Sequence, residues 1–178
     1  NIKDRNVIEV QAYCGSYLPD WRPGNDFRET YSAKQEMGGG VHLDLIHELD
    51  YVTWIFGHPL KSLSAFSKFS NLGINSFDSA HYWLEYPKMG ISILLNYFRK
   101  DPKRSIEVVM EDDTWSVDLL RGTIVNSGGD KIFQTEQSMK ETYKSQMEYF
   151  LTNMTNAKPM MNNLDEAVRT LKLCLHNA

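Results

Sequence analysis

Cysteine is scarce in this chain. Cys14 and Cys174 are the two in 178 residues, and they lack the paired spacing of a metal or redox motif. A reduced compartment is the default, and a cytoplasmic location is expected. No apolar run approaches the roughly 18 residues that a membrane helix needs, and no secretory leader is visible. Without a leader, the glycosylation sequon Asn153-Met154-Thr155 is read as incidental. Positive charge is not in excess. Nineteen Lys and Arg stand against 23 Asp and Glu, for a net charge of −4, which argues against a nucleic-acid partner. No Gly-x-Gly-x-x-Gly follows a predicted strand, so the dinucleotide fingerprint is missing. A His-Glu-x-x-His zinc motif and a nucleophile elbow are missing too, which sets aside zinc-hydrolase and Ser-His-Asp chemistry. No repeat, low-complexity segment or linker divides the chain.

What remains is ordinary in bulk. The chain is 42% hydrophobic and 24% charged, and its length suits one domain with a real core. Its most informative stretch is Gly38-Gly39-Gly40-Val41-His42-Leu43-Asp44-Leu45-Ile46-His47-Glu48-Leu49-Asp50-Tyr51-Val52-Thr53-Trp54-Ile55-Phe56-Gly57. The spacing predicts a helix from about residue 41 to residue 56, stopped by Gly57 and Pro59. Leu45, Ile46, Leu49, Val52 and Phe56 share its apolar face. Asp44, His47, Glu48 and Tyr51 gather on the other. A solvated polar face is the ordinary explanation of such a pattern. The alternative is chemical, because a carboxylate and an imidazole three residues apart on a helix are neighbours. Glycines leading into a helix also permit close approach of another chain or a ligand.

Gly-Gly-Gly-Val-x-Leu-Asp followed by His-Glu-x-Asp-Tyr-x-x-Trp-x-Phe-Gly resembles the signature of the Gfo/Idh/MocA family. The resemblance implies a nicotinamide-dependent oxidoreductase of sugars, cyclitols and related polyols. Within that family the signature belongs to the C-terminal, substrate-binding domain. The implied assignment is that residues 1–178 form that domain, with the Rossmann domain that holds most of the NAD or NADP outside this chain. The start at Asn1 rather than Met agrees with a fragment.

Val7 to Tyr17 reads as a strand, rich in Val, Ile and Tyr. Residues 18–28 are dense in turn formers. There Trp21, Arg22 and Arg28 have the makings of a recognition loop, since Arg forks carboxylates or phosphates and aromatic faces pack on sugar rings. The equal alternative is a loop stapled down by Trp21. In relatives the stretch that holds Tyr31 lies beside the substrate pocket. Strands are expected at 60–69, 80–86, 90–99, 104–110 and 114–120, with a short continuation at 123–126. Short turns between them imply mostly antiparallel pairing. The expected fold is α+β, a largely antiparallel, open-faced sheet with helices packed on one face. In relatives the open face makes a subunit contact, so a homo-oligomer is expected. Met139, Tyr143, Met147, Phe150, Leu151 and Met154 mark a helix read as core-facing. Asn163 caps a last helix whose stripe is Leu164, Ala167, Val168, Leu171 and Leu175, running to Ala178.

Oxidising a secondary alcohol needs a hydride acceptor and a base for the hydroxyl proton. His47 suits the base role, and Asp44 is expected to orient it. Relatives commonly set the Asp four residues before the His; here the gap is three, and Leu43 stands at the fourth. Trp21, Arg22, Arg28, Tyr31 and Tyr51 are the expected substrate contacts, and no metal is expected. The competing reading is a non-catalytic assembly domain that works through its open sheet face.

Overall fold

The computed structural model describes residues 2–156 and 160–175. Its centre is one eight-stranded sheet in the order β2-β3-β4-β1-β5-β6-β7-β8. The strands are β1 (Val7–Tyr17), β2 (Lys61–Ser67), β3 (Ser79–Glu85), β4 (Gly90–Asn96), β5 (Phe98–Met110), β6 (Thr114–Asp118), β7 (Thr123–Val125) and β8 (Lys131–Gln134). β1 and β4 run parallel, and every other neighbouring pair is antiparallel. The expected α+β class and mostly antiparallel sheet are therefore what forms.

Alternation explains the two faces of the sheet. Val10, Ala12 and Cys14 of β1 point into the core with Ile91, Ile93 and Leu95 of β4 and Ile106 and Val108 of β5. Gln11, Ser92, Trp83, Leu63 and Glu107 fall in one cross-strand row on the opposite face. That face carries exposed Leu63 and Trp83 among polar side chains.

The helices are α1 (Val41–Asp44), α2 (His47–Phe56), α3 (Met139–Thr155) and α4 (Leu164–Leu175). The single helix expected at 41–56 is thus two. At the break, Ile46 N–H reaches Leu43 O and Glu48 N–H reaches Leu45 O, so the bonding tightens to three-residue spacing. Leu45, Leu49 and Val52 are buried as expected, but Glu48 is buried with them. α4 is tied to the sheet side by Tyr82 Oη–H to Cys174 O at 3.0 Å and by His58 Nε2 with Glu166 Oε2 at 2.8 Å.

Two helical stripes depart from expectation. On α3, Tyr143, Met147, Phe150, Leu151 and Met154 are exposed, and the Met139 side chain lies outside the described residues. On α4, the buried residues are Thr170, Leu173 and Cys174, while Leu164, Val168, Leu171 and Leu175 are exposed. The hydrophobic period locates a stripe but not what covers it. The expected end of α4 at Ala178 lies outside the described residues. Asn163 does cap this helix, accepting from Glu166 N–H at 3.0 Å. Among the described residues no helix is long and apolar enough to cross a membrane.

The glycine triplet closes a tight corner ahead of α1. A Cβ on Gly39 would stand 2.0 Å from Tyr31 O and within 2.8 Å of Lys34 O and Ser32 O. The close approach expected here is thus made by the chain's own backbone. Gly38 has a left-handed φ of 77° but open space around it. Gly39→Ala is expected to cost more than about 4 kcal/mol, the range of severe backbone or packing conflict. Gly38→Ala is expected to cost about 1–2 kcal/mol, the penalty of the left-handed conformation. Urea unfolding of both variants checks the contrast, and equal losses would contradict it.

Candidate active site

Because β1 and β4 are parallel, their C-terminal ends meet at one end of the sheet, where Gly15 pairs with Asn96. β5 starts there, setting Arg104 beside Cys14 on the core face. Residues 18–37 fold over this end in short 3-10 turns and deliver the chain to α1. The start of α2 comes in from the helix side. Two linked groups of side chains result.

The first group runs through Tyr97. Trp21 donates its indole N–H to Ser16 Oγ at 2.9 Å and meets the Tyr97 ring edge-on, centroids 5.4 Å apart. Tyr97 Oη–H donates to Asp44 Oδ2 at 2.6 Å. Burial, then the bond to Asp44, pushes the Tyr97 hydroxyl well above the usual phenol range, so it stays a donor. Trp21 and Asp44 are therefore joined through Tyr97. Asp44 is engaged by this phenol, and the break between α1 and α2 separates it from the His47 helix.

The second group surrounds Glu48, whose side chain is 0% exposed. Tyr51 Oη–H donates to Glu48 Oε2 at 2.8 Å. Arg104 Nε lies 2.7 Å from Oε1 and His47 Nε2 lies 3.0 Å from the same oxygen. Neither N–H points along its line to Oε1, so these are ion-pair contacts and the oxygen keeps an unfilled lone pair. His47 is 48% exposed at the outer edge of the group. Burial, then the nearby Glu48 carboxylate, pushes the Cys14 thiol up to about 12, so it stays protonated. The same two causes push the Tyr51 hydroxyl upward.

Cys14, His47 and Glu48 bring sulfur, nitrogen and oxygen within 4.8 Å of one another. The Arg104 guanidinium stands where a cation would need to be, and the thiol keeps its proton.

The other expected contacts are placed differently. Arg22 stacks on Tyr31, 5.4 Å from the ring centroid. Arg28 makes two bonds to Asp26, at 2.9 and 3.0 Å, and lies over Phe27. Both guanidiniums have partners within their own loop and stay exposed. Trp21 is half-buried against the core and staples the loop down. His42 is buried between Phe66 and Phe77, and that burial holds its imidazole below the usual range. Arg104, Cys14 and Tyr97 were not anticipated. Arg104 had left a signal, since it holds the inward position of an Arg104, Ile106, Val108, Met110 alternation. Glu48 had left another, one turn from both Leu45 and Val52.

The model of the GFO/IDH/MocA C-terminal domain matches residues 6–124. No curated protein matches the chain. Among solved structures, UDP-N-acetylglucosamine 3-dehydrogenase from Acidithiobacillus ferrooxidans superposes with a TM-score of 0.73 at 16% identity, over 96% of this chain and 52% of that one. Myo-inositol 2-dehydrogenase from Lactobacillus plantarum gives 0.67 at 18% identity, over 96% and 53%. GenD2 from gentamicin A biosynthesis, in complex with NAD, gives 0.72 at 16% identity, over 96% and 52%. The chain spans about half the length of the structures it matches. At these identities the superpositions speak for the fold, and the match over residues 6–124 speaks for descent: the chain belongs to the GFO/IDH/MocA family, through its C-terminal domain.

Proposed function

We propose that residues 1–178 are the substrate-binding half of a nicotinamide-dependent oxidoreductase that acts on a sugar, a cyclitol or a derivative of one. The observation that carries this reading is a half-exposed imidazole, His47, set against a buried carboxylate near the end of the sheet where β1 and β4 finish together. In this reading His47 accepts the proton of the substrate hydroxyl. When bound, the nicotinamide takes the hydride from the same carbon, leaving a carbonyl. Trp21 offers the ring-stacking edge, while Tyr97 and Asp44 hold that edge in place.

The glycine triplet does not serve the cofactor. Gly39 is faced by three carbonyl oxygens, which have the wrong polarity for a pyrophosphate. The dinucleotide, NAD or NADP, is held mainly by a nucleotide-binding half outside this chain. The exposed apolar stripes of α3 and α4 support further protein packing there, since large uncovered apolar surface marks an interaction site. A cytoplasmic setting, where thiols stay reduced, suits two free cysteines.

The second reading, an assembly role, rests on Leu63 and Trp83, exposed on the open sheet face. We propose that this face pairs two copies of the chain, alongside the enzymatic role. Light scattering of the wild type should then give a dimer or larger assembly, and Leu63→Lys with Trp83→Lys should give a smaller species. A wild type that stays monomeric at high concentration would count against the pairing.

Alone, this chain is expected to give no heat with micromolar NAD or NADP in calorimetric titration, and micromolar binding would sink the two-part account. In the full-length enzyme, His47→Ala should lower the rate by about 10²–10⁴-fold, the usual loss with a general base. The same substitution should change stability by no more than about 0.5 kcal/mol, as for other surface positions. Melts and steady-state rates on the same proteins decide it. Full activity, or a collapsed melting temperature, would make His47 a structural residue.

A further inference from the structure

The carboxylate expected to serve His47 was Asp44, yet Asp44 is held by Tyr97 on the other side of the α1–α2 break. Glu48 is the carboxylate that meets the His47 ring, at 3.0 Å from Nε2. We propose that Glu48 is the positioning residue of this site: it holds the Nε2 side of His47, so the ring presents Nδ1 to substrate. The proposal rests on the reading of His47 as the base.

Three features of the geometry carry it. Glu48 cannot move, because Tyr51 binds Oε2 and Arg104 sits 2.7 Å from Oε1. Its Oε1 is fully buried, with Arg104 Nε at 2.7 Å and His47 Nε2 at 3.0 Å but neither aligned as a hydrogen bond, and the Cys14 thiol lies in the same cluster. A buried acceptor left unfilled is costly. It persists where a partner arrives at another stage of a reaction. His47 is the one of the three that is half-exposed and able to reorient. When the ring takes up a substrate proton at Nδ1, both its nitrogens become N–H donors. The Nε2–H then has Glu48 Oε1 within reach, needing a small rotation rather than a new partner. Catalytic hydrogen bonds that are poorly aligned at rest often tighten in this way.

The groups that face the ring are Glu48 from α2 itself, Arg104 from β5, Cys14 from β1 and Tyr51 one turn along α2. Arg104 is the opposite charge paired with Glu48, at 2.7 Å. The thiol and the phenol keep their protons, so the carboxylate is the acceptor open to the ring.

The test reads the ring proton directly by nitrogen–proton correlation NMR of this chain, without substrate or cofactor. At a pH where His47 is protonated, the wild type should show an Nε2–H proton protected from exchange with water. Asp44→Asn should keep that signal, and Glu48→Gln should lose the protection. If Glu48→Gln does not fold, the double variant Glu48→Leu, Arg104→Leu removes both charges together and should lose the signal as well. An unprotected Nε2–H in the wild type would overturn the proposal. So would a signal that survives removal of Glu48, or one that depends on Asp44. These outcomes are independent of turnover, so a protected proton combined with full activity of His47→Ala would fault the base assignment alone.

Discussion

A carboxylate without access to water has to be matched by charge and by hydrogen bonds, and Glu48 imposes that condition on one end of the sheet. Removing one partner from such a group typically costs about 3–5 kcal/mol, because the other charge stays behind. The match is spread over three elements. α2 supplies the carboxylate and Tyr51, while β5 supplies Arg104. β1 sets where Arg104 stands, through the pairing of Cys14 with Arg104. The start of α2 therefore has little freedom to slide along the sheet, and His47, the next residue back, inherits the same fixity.

Most of the sheet was legible in the sequence because alternation is a local property. The strand expected from Val7 to Tyr17 has the bounds observed, and most that follow shift by one to three residues, but β5 begins at Phe98, six residues before the strand expected at 104–110. β8 left no sign. Its four residues are all exposed, so neither alternation nor an apolar run marks them. The break at Leu45 and Ile46 was equally silent, since both residues suit an unbroken helix and only the tightened hydrogen bonding reveals it. The stripes of α3 and α4 are visible in the sequence and suggest core packing, whereas the sheet is already covered by α1, α2 and the face of α4 that carries Leu173 and Cys174.

The candidate site was picked out in the sequence through the family signature, but the partners of its side chains were not. His47, Asp44 and Tyr51 all come from that one stretch. Their partners come from positions dozens of residues away, as Tyr97 is to Asp44 and Arg104 is to Glu48. Helical spacing pairs Asp44 with His47 on one face, but the break and the phenol of Tyr97 draw Asp44 elsewhere. The loop arginines have near neighbours in sequence as partners: Arg28 bonds to Asp26, and Arg22 stacks on Tyr31.

The position of β1 has a consequence for how the chain reaches this structure. β1 lies at the middle of the sheet, and its neighbours are β4 and β5 rather than β2 or β3. Val10 pairs with Ile91 on one side and Val108 on the other, so both ladders close loops of many tens of residues. Such long closures lose chain entropy before any contact repays it, and folds built on them form slowly. During synthesis this central strand emerges well before either of its partners and has to wait for both. The β3–β4 hairpin, joined by a short turn, can assemble early and offer β4 as the edge on which β1 docks. The parallel seam that brings the site residues together therefore waits on the β3–β4 hairpin, and β5 can close on β1 only afterwards.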